Sequence, residues 1–337
     1  MNTPLPLVSV VIPTRGRPQL VCRAVKSALA QTYPSIEVVV VIDGEDAETV
    51  AALQSIDDRR LRSLVLGETA GGSEARNRGV QQSNGEWIAL LDDDDIWHEN
   101  KLEVQMRAAL EEKGDAILIT CRRINWEPGQ PDEVSPWRVI GKEEDPGEYL
   151  FCPGSGRRPT SGPQTSGILA SRALLRAVPF TPGLTCHQDW DWYLRAMKYP
   201  GIKAQMIEQP LYRMYKEQAR PSVTRVANWE LSLAWADGCG SILTPRAYIA
   251  FLIHGCMYRC EVKRGRFQVF LTLWNACRRH GDVRLSDFLS ALKWYAFPPP
   301  MRLRLRGLTR RLRLWFAPRS PAVDATSAFV SQAEAKG

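Results

Sequence analysis

The sequence predicts an α/β fold with a mostly parallel central sheet flanked by helices, followed by an α-helical C-terminal region. Short runs rich in β-branched residues alternate with helix-like stretches through the first half of the chain, which is the pattern of βα units. The runs LVSVVIP and IEVVVVID are almost continuously apolar, so both faces of the sheet are expected to be covered. From about residue 227 the β signal stops and helical periodicity replaces it.

The elements are predicted in the following order. Strands are expected at 7–13, 36–43, 61–67, 86–92 and 115–120, and helices near 17–31, 46–56, 73–83 and 98–113. Residues 141–165 are so rich in Gly and Pro that they are predicted to form a long loop and no regular element. A short helix near 171–177, a tryptophan-rich helix from about 188 and a strand at 202–208 follow. A domain boundary is predicted near residue 225, which gives domains 1–225 and 226–337.

Composition limits the class of protein. The chain has 337 residues and 44% hydrophobic content, which suffices for a globular protein of one large or two ordinary domains. The eight cysteines include no Cys-x-x-Cys pair, so a reduced cytoplasmic chain is expected. The first residues lack the pattern of a signal peptide, and no uncharged apolar run approaches about 18 residues. We therefore expect neither a signal peptide nor a membrane-spanning helix.

The stretch LLDDDDIWHENKL, residues 90–102, places four consecutive aspartates after a buried strand. A helix N-cap would explain one of them, Asp94 or Asp95, but not four. A calcium loop of the EF-hand type is excluded, because Ile96 and Trp97 occupy positions that need an oxygen ligand and a glycine. The remaining interpretation is a site for Mg²⁺ or Mn²⁺, bound through one or two carboxylates and the phosphates of a substrate.

Other strand ends carry further candidate ligands. Pro13 and Thr14 end the first strand, and Asp43 ends the second. In an open α/β sheet these ends border the ligand site. The segment GGSEARNRGV opens a helix with Arg76 and Arg78 in its first turns, which favours an anionic ligand, although both arginines could be solvated helix charges. The absence of GxGxxG and GxxxxGK[ST] disfavours a Rossmann dinucleotide site and a P-loop.

Together, VSVVIPTRGRP, ALAQTYPSIEVVVVIDGE, GGSEARNRGV and GEWIALLDDDDIWHENKLE resemble the inverting family 2 glycosyltransferases with the GT-A fold, over roughly residues 6 to 215. The resemblance implies that Asp43 contacts the nucleobase and that Pro13 and Thr14 line the same pocket. It implies further that Arg76 lies near the nucleotide and diphosphate. Asp92 would then contact the ribose and the metal, and Asp94 the metal.

The segment HQDWDWYLRAM resembles the part of that family that carries the catalytic base. The resemblance implies that Asp189 is the base and that Trp190, Asp191 and Arg195 shape the acceptor side. Two departures affect it: Gln188 stands where relatives have glutamate, and no histidine follows PLYRMY, so a third protein ligand to the metal is left open. From the residues alone, Asp189 could instead be a helix N-cap. The neighbouring Trp190, Trp192, Tyr193 and Leu194 would then be core residues.

The resemblance implies a metal-dependent hexosyl transfer from a nucleotide sugar, with a UDP-sugar favoured, to a glycan or a lipid-linked acceptor in surface polysaccharide or glycolipid assembly. Two alternatives stay open at this point. A nucleotidyltransferase would share the sheet, the nucleotide pocket and the aspartate-bound metal. A non-catalytic relative that binds carbohydrate or membrane is the other.

The C-terminal segment PPPMRLRLRGLTRRLRLWFAPRS, residues 298–320, is basic and amphipathic if helical. Its apolar face would carry Met301, Leu305, Leu308, Leu312, Trp315 and Phe316, with arginines around the other side. This pattern is typical of an interfacial anchor on an anionic membrane, although a helix packed on the protein would also fit. Nucleic acid is not expected, because the aromatic residues share the apolar face. We therefore expect a cytoplasmic protein on the inner face of the membrane.

Overall fold

The structure is a computed structural model that describes residues 4–154, 159–160, 162–215, 229–257, 266–281 and 283–296. Its strands, in chain order, are β1 (Val8–Thr14), β2 (Ile36–Ile42), β3 (Leu61–Val65), β4 (Trp87–Leu90), β5 (Asp95–Trp97), β6 (Ile117–Trp126), β7 (Glu133–Ser135), β8 (Leu169–Ser171) and β9 (Lys203–Tyr215). The predicted strands are confirmed, whereas β5, β7 and β8 were not predicted.

The helices of the sheet-containing part are α1 (Pro18–Leu29), α2 (Ala47–Gln54), α3 (Gly72–Gln82), α4 (Lys101–Glu111), α5 (Pro146–Phe151), α6 (Arg172–Ala177) and α7 (Gln188–Met197). The C-terminal part forms α8 (Trp229–Gly238), α9 (Pro245–Ala250), which continues as a π-helix (Phe251–Met257), α10 (Arg266–Arg279) and α11 (Leu285–Ala296). Single 3₁₀ turns occur at Thr165–Gly167 and Gly240–Ile242. The predicted helices of both parts are confirmed.

The prediction that residues 141–165 form only a loop was wrong, because α5 lies within them. Asp145 caps this helix by accepting hydrogen bonds from the backbone N–H groups of Gly147 and Glu148, and Pro146 occupies its first turn. The side chains of Tyr149 and Phe151 are buried in the core. Capping and burial therefore outweigh the high Gly and Pro content of the surrounding residues.

In the described residues the nine strands form one sheet in the order β3-β2-β1-β4-β8-β6-β9-β5, with β7 added beside β6. The pairs β3–β2, β2–β1, β1–β4 and β6–β9 are parallel. Strand β8 is antiparallel to both neighbours, β4 and β6. The pairs β5–β9 and β6–β7 are antiparallel too. Six of the nine described strands therefore run in one direction, which makes the sheet mostly parallel, and the carboxyl ends of β1, β2 and β4 lie at one edge.

Hydrophobic clusters cover both faces of the sheet, as predicted. Along β1, Val10 and Ile12 belong to one cluster and Val11 to the other, because successive side chains of a strand point to opposite faces. The cluster that contains Val11 also contains residues of the C-terminal helices, among them Trp235 and Trp294. The C-terminal helices therefore share a core with the sheet.

Two predictions concern residues outside the described ranges. The domain boundary near residue 225 falls within 216–228, and the basic segment 298–320 falls beyond 296. Both stay predictions. Among the helices that the structure does describe, none combines the length and the apolar character needed to cross a bilayer.

Candidate active site

Asp92, Asp93 and Asp94 lie between β4 and β5, Asp95 begins β5, and their side chains alternate in exposure. The side chains of Asp92 and Asp94 are each 30% exposed. Asp93 and Asp95 are buried. The turn is closed by a hydrogen bond from the backbone N–H of Asp95 to the carbonyl of Asp92 at 3.1 Å. Asp92 and Asp94 are thus partly open to solvent at the sheet edge, whereas Asp93 and Asp95 are not.

The two buried aspartates fix the turn. Asp93 accepts hydrogen bonds from Thr14 Oγ1 at 2.8 Å and from Arg17 Nη1 at 3.0 Å. Burial raises the pKa of Asp93, and the charge of Arg17 opposes that rise. The hydroxyl of Thr14, a residue predicted to line the nucleotide pocket, is therefore hydrogen-bonded to Asp93. The adjacent Pro13 is partly exposed at the same edge of the sheet.

Ser166 links Asp95 to Asp92. Its hydroxyl donates to Asp95 Oδ2 at 2.6 Å and accepts the backbone N–H of Asp92 at 3.0 Å. Burial is the largest cause that raises the pKa of Asp95 well above its ordinary value, and the negative charges of Asp94 and Asp92 add to it. Neither Ser166 nor Arg17 was singled out from the sequence. The only sequence signal for Ser166 is its position in the segment SGILAS, and in the structure it lies within the 3₁₀ turn Thr165–Gly167.

Arg76 of α3 bridges the aspartate turn and the helix α7. Its Nη2 atom donates to Asp92 Oδ1 at 2.6 Å, and its Nη1 atom donates to Gln188 Oε1 at 2.9 Å. A Cβ at Gly72 would lie 3.0 Å from Arg76 Nη1 and 3.1 Å from Gln188 Oε1, so a larger residue there would press on this hydrogen bond. Arg78 points to solvent and pairs with Glu74 within the helix. The solvated-charge interpretation therefore holds for Arg78, while Arg76 belongs to the site.

Asp43, at the end of β2, shapes the loop that leads into α3. Its carboxylate accepts the backbone N–H groups of Ala70 at 2.7 Å and of Gly71 at 3.1 Å. Gly71 precedes α3 with φ 86°, a left-handed conformation that glycine adopts without strain. Asp43 therefore holds the N-terminal turn of the helix that presents Arg76. Its role in binding a nucleobase stays a prediction.

Asp189 is the second residue of α7, and the residue in the N-cap position is His187, not Asp189. The N-cap alternative for Asp189 was therefore wrong. Asp189 Oδ1 accepts the backbone N–H of Trp190 at 3.0 Å. Burial raises the pKa of Asp189, the charge of Asp92 raises it further, and the charge of Arg76 lowers it. These mutual charge effects place Asp189 beside Asp92 and Arg76, at the mouth of the same site.

The remaining predicted residues of α7 face away from this group. As the core interpretation predicted, the side chains of Trp190, Trp192, Tyr193 and Leu194 are buried. The ring of Trp190 stacks on His187, with centroids 5.2 Å apart. The carboxylate of Asp191 accepts hydrogen bonds from Thr181, Arg195 and Trp235. An acceptor-binding role for Trp190, Asp191 and Arg195 stays a prediction.

The donor set at the sheet edge fits a divalent cation of the oxygen-binding type. No group of three or more His, Cys, Asp or Glu side chains with metal-ligand geometry occurs among the residues that the structure describes. Asp92 and Asp94 nevertheless offer two partly exposed carboxylates, which pair with Arg76 at 2.6 Å and with Arg17 at 3.7 Å. Mg²⁺ is commonly bound by one or two carboxylates with the remaining positions filled by phosphate oxygens and water. The two aspartates fit that arrangement without a third protein ligand.

Comparison with known proteins decides the family. Residues 9–179 match the model of Glycosyl transferase family 2. The chain is also 31% identical over 308 residues to the amylovoran biosynthesis glycosyltransferase AmsB of Erwinia amylovora, covering 89% of this chain and 98% of AmsB. The chain belongs to glycosyl transferase family 2. It is a glycosyltransferase that uses a nucleotide-sugar donor, so neither the nucleotidyltransferase nor the non-catalytic alternative is retained.

Other relatives and structures extend the comparison. The chain is 33% identical over 198 residues to WfgD of Escherichia coli, a UDP-Glc:α-D-GlcNAc-diphosphoundecaprenol β-1,3-glucosyltransferase, covering 59% of this chain and 72% of WfgD. The fold is similar to that of S. aureus TarS 1–349 in complex with UDP-GlcNAc, with a TM-score of 0.59 at 17% identity, covering 86% of this chain and 89% of that one. The mannosyltransferase PcManGT from Pyrobaculum calidifontis, in complex with GDP-Man and Mn²⁺, gives a TM-score of 0.53 at 18% identity, covering 89% and 83%. These two structures support the GT-A fold.

Proposed function

We propose that this family 2 glycosyltransferase moves a hexosyl residue from a UDP-sugar to a hydroxyl group of a lipid-linked glycan, with inversion at the anomeric carbon, during assembly of a surface polysaccharide. The observation that carries the proposal is the convergence of Arg76, Asp92, Gln188 and Asp189. Hydrogen bonds join the first three directly, and Asp189 follows Gln188 in the first turn of α7. The cationic Arg76, the Asp92 carboxylate, which can bind metal, and the proposed base Asp189 thus lie together at one edge of the sheet.

The donor side is assigned to the strand ends and to α3. Asp43, Pro13 and Thr14 lie at the ends of β2 and β1, where open α/β sheets bind nucleotides. The guanidinium of Arg76 is positioned at the N-terminal half of α3, where a diphosphate would also meet the positive end of the helix. UDP is favoured because TarS is known in complex with UDP-GlcNAc and the name of WfgD specifies UDP-Glc.

Asp92 and Asp94 would hold a divalent cation, Mn²⁺ or Mg²⁺, together with the donor diphosphate. When bound, such a cation supplies positive charge that stabilises the leaving nucleoside diphosphate. The residues that bind the turn contribute to the metal site indirectly, by positioning Asp92 and Asp94. Because Thr14 and Arg17 hold Asp93, and Ser166 holds the backbone of Asp92, the two open carboxylates keep their positions when no cation is present.

Asp189 is proposed as the general base that takes the proton from the acceptor hydroxyl as that oxygen attacks the anomeric carbon. The bond from the sugar to the diphosphate breaks in the same step, so the configuration inverts and no covalent sugar-enzyme intermediate forms. Burial raises the pKa of Asp189, and a carboxylate with a raised pKa binds the proton more strongly. The elevated pKa of Asp189 therefore suits this role.

The acceptor side is inferred from relatives. AmsB is named for amylovoran biosynthesis, and the name of WfgD specifies a diphosphoundecaprenol-linked acceptor. A lipid-linked acceptor would place the enzyme at the inner face of the cytoplasmic membrane. The basic amphipathic pattern of residues 298–320, which lie outside the described residues, is consistent with that location.

A donor and product assay tests the proposal. The full chain is incubated with Mn²⁺, a short-chain polyprenyl diphosphate GlcNAc acceptor and UDP-Glc, UDP-GlcNAc, UDP-Gal or GDP-Man in turn. We expect release of a nucleoside diphosphate with one UDP-sugar, and a product whose anomeric configuration, measured by NMR, is opposite to that of the donor. Retention of configuration, or turnover of GDP-Man alone, would contradict the proposal.

A further inference from the structure

The helix α11 carries its large apolar side chains on the side that faces away from the protein. Asp287, Ala291 and Trp294 form its buried side. The exposed side carries large apolar residues spaced by three and four positions, as on one face of a helix: Leu285, Phe288, Leu289, Leu292 and Tyr295. A surface helix normally has the opposite arrangement, with its apolar stripe against the core. The contribution of α11 to the core is therefore made by one side, while an apolar stripe is left on the other.

The neighbouring helix α10 extends this stripe. Phe267 and Leu271 are exposed, one turn apart. The ring of Phe267 lies 6.1 Å from that of Tyr295, so the exposed residues of the two helices adjoin. The five residues of α11 and these two of α10 are here called the C-terminal apolar face. Contiguous exposed apolar surface of this kind marks an interaction site more often than a scatter of single residues does.

The described exposed charges around the C-terminal apolar face are cationic, while Asp282, between α10 and α11 in the sequence, lies outside the described residues. The exposed charged side chains of α10, α11 and the turn between them, within residues 266–281 and 283–296, are cationic and include Arg278, Arg279, Arg284 and Lys293. The acidic residue in those ranges, Asp287, is buried and accepts hydrogen bonds from Arg246 at 2.5 Å and 2.7 Å. Its charge is thus neutralised within the core. The sequence that follows α11 adds six more arginines between 302 and 313.

We propose that the C-terminal apolar face rests on an anionic lipid surface, with its leucine and aromatic side chains inserted at the level of the headgroups. Leucine and aromatic residues next to Lys and Arg are the composition of interfacial helices, and lipid phosphates complement the surrounding cations. A second copy of the same face is a poorer partner, because the cations of the two copies would be brought together. This surface is distinct from the basic segment 298–320, because it is formed by α10 and α11, which share a hydrophobic core with the sheet.

Substitution of two exposed leucines tests the proposal on the full chain. Leu289→Gln with Leu292→Gln removes side chains that are 55% and 42% exposed, and glutamine keeps the helix propensity. The matched control is Leu5→Gln with Leu110→Gln, at residues that are 49% and 53% exposed and lie in the catalytic domain. Binding is measured by co-sedimentation with vesicles of phosphatidylcholine containing phosphatidylglycerol, and with pure phosphatidylcholine.

We expect the first pair to lower the partition coefficient on anionic vesicles about tenfold, since each exposed leucine surface contributes about threefold when it leaves water. The control pair should bind like the unsubstituted chain, and pure phosphatidylcholine should bind all variants weakly. The same comparison on a chain that ends after Ala296 should show lower binding overall but again a loss with the first pair. Melting temperature and UDP-sugar turnover, measured without vesicles, verify folding and report on the proposed catalysis independently.

Three results would overturn the assignment. The first is equal binding of the two pairs to anionic vesicles. The second is a lower molecular mass of the Leu289→Gln, Leu292→Gln variant by light scattering, with vesicle binding unchanged. That result would make the C-terminal apolar face an interface between copies of the chain. The third is a chain ending after Ala296 that binds no vesicles with or without the leucines, which would assign all membrane binding to the residues beyond it.

Discussion

Asp189→Asn separates chemistry from structure at the proposed base. The amide has nearly the shape of the carboxylate, and its oxygen can still accept the backbone N–H of Trp190, which Asp189 accepts at 3.0 Å. It cannot take a proton from an acceptor hydroxyl. General-base assistance is worth about 10² to 10⁴ in rate, so transfer should fall at least about a hundredfold. Affinity for the nucleotide should change little, because donor binding is assigned to Asp43, Arg76 and Asp92.

The same substitution should stabilise the protein at neutral pH. Burial raises the pKa of Asp189 in the folded chain above its ordinary value of 3.8. Between those two pKa values the unfolded chain has lost its proton while the folded chain still holds it, so rising pH favours unfolding until the folded pKa is passed. Each pH unit by which the folded pKa exceeds the unfolded pKa lowers the free energy of unfolding at neutral pH by about 1.4 kcal/mol. Asparagine does not ionise, so this loss of stability is absent from the variant. Asp189→Asn should therefore be more stable than the unsubstituted chain near pH 7.5, and the difference should shrink towards about pH 4.

Two assays and one matched control decide the outcome. Transfer is followed by nucleoside diphosphate release, and stability by thermal melting in chelator at several pH values. The control is Asp191→Asn, two residues along α7, whose carboxylate is paired with Arg195 at 2.7 Å. We expect it to lose about 1–3 kcal/mol of stability at neutral pH, opposite in sign to Asp189→Asn, and to lose less transfer than Asp189→Asn, because Asp191 is assigned to the acceptor side and not to the base. Near-normal transfer by Asp189→Asn, or a melting temperature below that of the unsubstituted chain at neutral pH, would refute the assignment of the base.

Three further predictions concern the neighbours of Asp189. Arg76→Lys should weaken binding of the UDP-sugar with Mn²⁺ about 10- to 100-fold by calorimetry, because an ammonium group cannot bridge Asp92 and Gln188 as the guanidinium does; unchanged affinity would contradict this role. Asp94→Ala should abolish Mn²⁺-dependent nucleotide binding and transfer while the melting temperature is kept, and an active variant that is insensitive to chelator would remove Asp94 from the metal site. Gln188→Glu should move the acid limb of the plot of kcat against pH to higher pH, because a second negative charge further raises the pKa of Asp189. An acid limb at the same pH would show that the side chain at position 188 does not act on the base.

The elements predicted from sequence are those with enough residues to show a period. The strands β1 and β2 are seven residues long and almost entirely apolar, and the helices α1 and α10 span three or more turns. By contrast, β5, β7 and β8 have three residues each, too few to display alternation. Their strand conformation depends on pairing with distant residues: β5 pairs with β9, and β8 lies between β4 and β6. Such long-range pairing is not encoded in a local pattern.

The separation of the two arginines in α3 could have been predicted from helix geometry. Arg76 and Arg78 are two residues apart, or about 200° around the helix axis, so only one of them can face the sheet. The buried residues of α3 are Ser73, Ala75, Arg76, Gly79 and Val80, a set spaced by three and four residues that includes Arg76 and leaves out Arg78. The small side chains at 73, 75 and 79 allow the helix to approach the sheet, and this approach buries Arg76. The buried face of α3 was therefore available as a signal for the site.

The aspartate run shows where sequence reasoning reaches its limit. The run alone predicts a cluster of carboxylates after β4, of which Asp92 and Asp94 form one pair and Asp93 and Asp95 the other. It does not say which pair is open. That choice depends on Thr14, Arg17 and Ser166, which bind the second pair and come from the end of β1 and the turn before β8. Because four adjacent carboxylates repel one another, the donors that bind Asp93 and Asp95 are needed to hold the turn, and they leave Asp92 and Asp94 as the pair that is partly exposed to solvent and to a cation.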